Sequence, residues 1–215
     1  MKKGLSLIAM IVDASGSMHS RTNVVVNSIN EAIKTHREAE GEAIMSIYSF
    51  ASYGQLERIV DFVNVNEVGE FKYTCGGMTA LHDAIGKVVD EIGVKLASMN
   101  EEDRPEQVQI MIITDGGEND SRDYKVSDIK AKIEHQTTKY SWLFTYLGSN
   151  QDAILVGDRL GISKSLCATY TDSNLQDTMN LVNKKSIRCR SLGGDYGAVL
   201  NSMSYSSEER EFISK

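Results

Sequence analysis

The sequence predicts an α/β protein: a doubly wound, mostly parallel central sheet with one antiparallel edge strand and helices on both faces. Three observations predict it. Apolar runs of strand length alternate with stretches whose apolar residues recur every three or four positions. Two of those runs end on an aspartate followed by a loop of small residues. One pair of runs is joined by a link short enough for a hairpin.

The elements follow in order. Residues 5–12 are an apolar run that reads as the first strand. A helix is expected over 24–39, with Val26, Ile29 and Ile33 on one face. Residues 43–50 and 56–63 form two strands around the turn Ser52-Tyr53-Gly54, which makes the second an antiparallel edge strand. Leu81, Ile85, Val88, Ile92 and Leu96 recur at helical steps, and Asp83–Lys87 and Glu91–Lys95 are candidate i,i+4 ion pairs on the outer side. The polar link 100–107 carries the only proline and leads into a strand over 108–114. Ser127 is placed to cap a helix through His135, with Val126, Ile129 and Ile133 inward. Residues 141–147 read as a strand, 151–160 as a helix, 167–170 as a short last strand and 175–187 as a final helix.

The chemistry lies at the strand ends. The first strand empties into Asp13-Ala14-Ser15-Gly16-Ser17, a carboxylate and two hydroxyls at alternate positions. Thr79 stands in Gly76-Gly77-Met78-Thr79, at the start of an amphipathic stretch. Asp115 ends the apolar run 108–114 and precedes Gly116-Gly117. Hard divalent cations take oxygen ligands, and Mg²⁺ takes a small octahedral set while keeping some waters. In a doubly wound sheet ligands bind outside the carboxyl ends of strands, where the strand order reverses. Both arguments point to one place, a divalent-cation site built from Asp13, Ser15, Ser17, Thr79 and Asp115.

On these residues the chain resembles the von Willebrand factor type A family. Its metal-ion-dependent adhesion site is written D-x-S-x-S, then a Thr, then Thr-Asp-Gly, and all five ligand types stand here in that order. The resemblance runs from residue 5 to about 192 and implies that the hydroxyls bind metal directly while the aspartates act through water or hydrogen bonds. It implies a cation, Mg²⁺ or Mn²⁺ before Ca²⁺, that keeps a position open for an Asp or Glu carboxylate of a protein partner. Intracellular members of the family work with AAA+ ATPases or in nucleic-acid complexes. The chain is similar to compact bacterial or phage stand-alone members, through 148–154 and Leu160-Gly161-Ile162.

Composition bounds the rest. The 215 residues are 41% hydrophobic and 25% charged, ample for a real core. They divide into a domain over 1–192 and a C-terminal tail over 193–215 of uncertain structure, a docking segment or a frayed end. No apolar run reaches the ~20 residues of a membrane span, and residues 1–13 are too short for a signal peptide, so a cytoplasmic protein is expected. Cys75, Cys167 and Cys189 are too few and scattered for a disulfide framework and read as reduced thiols.

The net charge of −7 disfavours nucleic-acid binding, and the basic cluster Lys184, Lys185, Arg188 and Arg190 reads as a solvated helix face. A role in an RNA-associated complex is the alternative from a different class. A Mg²⁺-dependent phosphatase needs a second aspartate where Ser15 stands. There is no G-x-S-x-G elbow and no G-x-x-x-x-G-K-[ST] loop. The expectation is a binding module and not an enzyme. Duller readings exist for single residues: Ser15 and Ser17 as helix caps, Asp115 as a turn residue, His19 and His82 as solvated loop histidines, Asp83 as an ion-pair partner or a support to the site.

Overall fold

The computed structural model describes residues 1–149 and 152–213. Six strands form one sheet in the order β3-β2-β1-β4-β5-β6. They are β1 (Lys2–Asp13), β2 (Glu42–Phe50), β3 (Leu56–Asn64), β4 (Pro105–Thr114), β5 (Leu143–Ser149) and β6 (Cys167–Tyr170). Every pairing is parallel except β2 with β3. The central strands are buried on both faces, which is why residues 7–12 and 110–113 read as continuous apolar runs and not as alternating ones. β3 is the half-exposed edge. Its irregular pairing at Phe62, whose φ is 53°, takes the Phe62 N–H to the Ser46 hydroxyl at 3.0 Å.

Among the described residues seven α-helices surround the sheet: α1 (Thr22–Glu38), α2 (Leu81–Ser98), α3 (Val126–Tyr140), α4 (Ala153–Arg159), α5 (Leu175–Arg190), α6 (Tyr196–Met203) and α7 (Ser207–Ile213). α1 packs on α5, and α2 packs on α3. α1 buries Val25, Ile29, Ala32 and Ile33; Val26, expected on this face, is only partly buried, so the face is turned by one residue. α2 buries the expected ladder of Leu81, Ile85, Val88, Ile92 and Leu96. Neither expected ion pair forms on it. Lys87 pairs with Asp123 at 2.7 Å, Glu91 with Arg58 and Lys95 with Asp61 at 3.1 Å. Longer reach to neighbouring elements wins over the i,i+4 contact because α2 lies between the β3 edge and the loop that precedes α3.

α3 begins two residues earlier than a Ser127 cap implies. Asp128 accepts from the Lys125 N–H at 2.8 Å at its start, Ser127 does not cap it, and Val126 is exposed. Pro105 opens β4 at its first position, where a missing N–H costs nothing. The helix expected over 151–160 is described from Ala153; its first residue, and Asn150 and Gln151 of the 148–154 pattern, lie outside the described residues.

Residues 193–213 carry α6 and α7, which close over α5 and β6. Val199, Met203, Tyr205 and Ile213 are buried there. Arg210 donates to the carbonyls of Cys167 at 3.0 Å and Lys164 at 2.7 Å. Ser214 and Lys215 of the expected tail lie outside the described residues. Lys185 and Arg190, expected on a solvated face, are internal. Lys185 donates to the Ser202 and Ser204 carbonyls and pairs with Glu209 at 2.9 Å. Arg190 donates to the carbonyls of His36 and Gly41. Among the described residues no helix is long and apolar enough to cross a membrane.

Candidate metal centre

The chain runs outward from β1 through β2 to β3, then returns to the other side of β1 as β4. The strand order reverses between β1 and β4, and a crevice opens at their carboxyl ends. Asp13 is the last residue of β1, and Asp115 follows the last residue of β4. The loop carrying Thr79 is stitched to this crevice by its backbone: Gly76 N–H donates to Ala14 O at 2.8 Å, and Gly16 N–H to Gly77 O at 3.1 Å. Gly77 has φ +85°, and a Cβ there would meet the Ser52 hydroxyl at 2.5 Å, so the approach requires glycine.

All five predicted oxygen donors meet at this place. Asp13 is fully buried. Its Oδ1 accepts from Ser15 N–H at 2.7 Å and its Oδ2 from the Thr114 hydroxyl at 2.6 Å. Burial pushes its carboxyl above the ordinary value; the Thr114 and Ser15 donors pull the other way, and the Asp115 charge adds to the rise. The hydroxyls of Ser15 and Ser17 stand 3.1 Å apart, and the Ser17 hydroxyl donates to Asp115 Oδ1 at 2.7 Å. Asp115 Oδ2 accepts from the Arg21 guanidinium. Thr79 is buried, and its hydroxyl makes no hydrogen bond among the described residues. A Cβ on Gly116 would lie 3.6 Å from Thr79 Oγ1 and 4.0 Å from Ser17 Oγ, which places both hydroxyls over the same glycine.

The capping and turn alternatives for Ser15, Ser17 and Asp115 do not match this geometry, while His19 is exposed as expected. Ser15 precedes a two-turn 3₁₀ helix over Gly16–Arg21 without a side-chain capping bond, and Ser17 points to Asp115. Asp115 bonds Ser17 and Arg21 and not its own turn. His82 is not a loop residue: it is the second residue of α2, with Nδ1 3.7 Å from Glu118, and burial lowers its pKa. Asp83 accepts the N–H groups of Arg122, Asp123 and Tyr124, each at 2.9 Å, so it anchors the loop after Asp115.

Several residues that the sequence reading did not single out shape the site. Thr114 and Arg21 hold the two carboxylates. Asn119 Oδ1 accepts from Thr79 N–H at 2.8 Å, and the N–H groups of Asn119 and Asp120 donate to Thr79 O. Glu118 accepts from the N–H groups of His82, Asp120 and Ser121. Tyr170 donates to Thr114 O at 3.1 Å. The polar run 116–123 next to Asp115 is the signal in the sequence that points to this support.

The donor set fits a small hard cation. All five donors are oxygens and two of them are carboxylates, as a hard divalent cation takes.

Solved structures share this arrangement of strands and helices. Proximal thread matrix protein 1 from the mussel byssus superposes with a TM-score of 0.60 at 14% identity, over 86% of this chain and 46% of that one. The ArnB paralog VWA2 from Sulfolobus acidocaldarius gives 0.55 at 19%, over 85% and 45%. The chain has the von Willebrand factor type A fold. The pilus adhesin SpaC from Lactobacillus rhamnosus GG gives 0.63 at 11%, over 87% of this chain and 30% of its own. The chain thus spans less than half the length of these proteins. Another structure of the mussel protein has a zinc-occupied MIDAS motif (TM-score 0.59, 16% identity, 86% and 46% covered). By sequence alone, no family model and no curated protein matches.

Proposed function

We propose that this von Willebrand factor type A fold works as a metal-dependent protein-binding module. Ser15, Ser17 and Thr79 hold a divalent cation through their hydroxyls, and Asp13 and Asp115 support it through water or hydrogen bonds. When bound, the cation supplies an electrophilic position that takes the carboxylate of a partner's Asp or Glu. The observation that carries this reading is the division of labour among the donors. Both oxygens of each aspartate are already held by protein donors, while the Thr79 hydroxyl, beside Ser17 and Gly116, has no protein partner among the described residues. The zinc-occupied MIDAS motif of the mussel protein supports the choice of a divalent cation, and a set of three hydroxyls with only two carboxylates suits Mg²⁺ or Mn²⁺ better than Ca²⁺, which takes six to eight oxygens.

Binding is favoured over catalysis. The Asp13 carboxylate is fully buried with both oxygens engaged, which leaves it no approach to a phosphate or acyl carbon. A protein partner is favoured over RNA, because Lys185 and Arg190 of the main basic cluster are spent on internal carbonyls. A subunit of an AAA+ ATPase complex is one such partner.

Thermal unfolding in EDTA, Mg²⁺, Mn²⁺, Ca²⁺ and Zn²⁺ tests the reading. A cation at one hundred times its Kd stabilises the native state by about 2.7 kcal/mol. Mg²⁺ or Mn²⁺ is expected to raise the midpoint of the wild type and not of Ser15→Ala or Asp13→Ala. Equal midpoints in all five solutions would sink the metal site.

A further inference from the structure

Arg21 brings to this crevice a positive charge that the oxygen-donor pattern does not contain. It closes the two-turn helix that follows Ser15, is nearly buried, and bridges Asp115 Oδ2 to Asp172, with a longer contact to Ser17 O at 3.3 Å. The two carboxylates it touches differ in setting. The Asp115 side chain is 2% exposed and that of Asp172 67%. Water screens the Asp172 charge, so the guanidinium acts inward, on Asp115. Asp172 is the outer, partly screened counter-charge of Arg21.

We propose that Arg21 sets the charge of the metal site and thereby its demand for an anionic partner. This rests on the metal-site reading above. Asp13 and Asp115 bring two negative charges and Arg21 returns one positive, so the donor set carries one net negative charge when ionised. A divalent cation held there keeps one unneutralised positive charge in a partly dry crevice. A neutral sixth ligand leaves that charge unanswered, and a carboxylate answers it. The same residue therefore weakens the metal and strengthens the carboxylate, two effects of opposite sign that a purely structural arginine does not produce.

The test is a Mn²⁺ titration of the full chain followed by acetate titration of the Mn²⁺-loaded protein, read by water-proton relaxation. Wild type, Arg21→Gln, Arg21→Lys and Asp172→Asn are compared. Arg21→Gln is expected to bind Mn²⁺ about tenfold tighter and acetate about tenfold more weakly. Arg21→Lys keeps the charge without the fork and is expected to match the wild type in both. Asp172→Asn, an exposed change that leaves the fold intact, is expected to bind Mn²⁺ about twofold more weakly because Arg21 loses its outer counter-charge; it carries the test if Arg21→Gln does not fold.

The proposal is overturned if Arg21→Gln matches the wild type in both titrations, or if Arg21→Gln and Arg21→Lys lose Mn²⁺ together. It is also overturned if a folded Asp172→Asn is unchanged where Arg21→Gln fails to fold. Mn²⁺ binding by Arg21→Gln but not by the wild type supports it. Absence of binding in every variant defeats the metal site itself, and this inference with it.

Discussion

The Thr114 hydroxyl donates to Asp13 Oδ2 at 2.6 Å and so clamps together the ends of the two neighbouring strands that deliver the site's carboxylates. Thr114 is fully buried at the last position of β4 and Asp13 at the last position of β1. Thr114→Val keeps the shape and removes the donor, leaving a buried carboxylate oxygen without its partner. A loss of about 1–3 kcal/mol is expected from urea unfolding at pH 7 in EDTA. A loss below about 0.5 kcal/mol would show that water replaces the hydroxyl.

Asp13 also predicts a pH dependence. Burial raises its carboxyl above the ordinary 3.8, so ionisation costs folding stability. The contribution is fully present below pH 3.8 and is lost as the pH rises through the higher folded value. Asp13→Asn removes that loss. In EDTA its unfolding midpoint at pH 7 is expected to equal or exceed that of the wild type, with the gap closing toward pH 3.8, while any response to Mg²⁺ disappears. A wild type more stable than the variant at pH 7 without metal contradicts the sign.

Gly116 lies under the Thr79 and Ser17 hydroxyls with ordinary negative-φ freedom for other residues. Gly116→Val puts methyl groups into the space where these oxygens meet a cation. The metal-free protein is expected to stay within about 1 kcal/mol of wild type, with its midpoint no longer raised by Mg²⁺ or Mn²⁺. A retained metal shift would place the cation elsewhere.

Asp83 gathers three consecutive backbone N–H groups of the loop after Asp115. Asp83→Ala leaves them without an acceptor and is expected to cost about 2–3 kcal/mol. Hydrogen exchange is the direct check: the amides of Arg122, Asp123 and Tyr124 should speed up, with those in β1 and β4 changing only as global stability does.

Residues 193–213 supply buried Val199, Met203, Tyr205 and Ile213, and Arg210 ties them to the β6 region. A chain ending at Leu192 is expected to lose about 3 kcal/mol or more, near 10 °C in midpoint. An unchanged midpoint would make these helices a passive appendage.

Much of this was legible in the sequence, for identifiable reasons. The buried strands announced themselves as apolar runs because helices cover both faces, and the short link 51–55 announced the hairpin. The five oxygen donors were legible because two stand at strand ends and the rest in short adjoining loops, where backbone direction fixes where side chains gather. Charge pairing was less legible. Asp83–Lys87 and Glu91–Lys95 satisfied the local spacing rule, yet all four residues found other partners. The basic cluster on α5 looked solvated because nothing local shows that α6 and α7 fold back over Lys185, or that Arg190 reaches the end of α1.

The sequence by itself determined the alternation of strands and helices and the five oxygen donors that could line a crevice at the strand ends. These depend on periodicity and on residues close to strand ends, which covalent order controls. Tertiary structure alone decided that Thr114 would hold Asp13, that Asp83 would anchor residues 122–124, and that Arg21 would reach Asp115, 94 positions away. Such pairs depend on strand register and on how a helix packs against its neighbours. A buried charge or N–H takes whichever partner that packing presents, because leaving it unpaired costs more than forgoing a local contact.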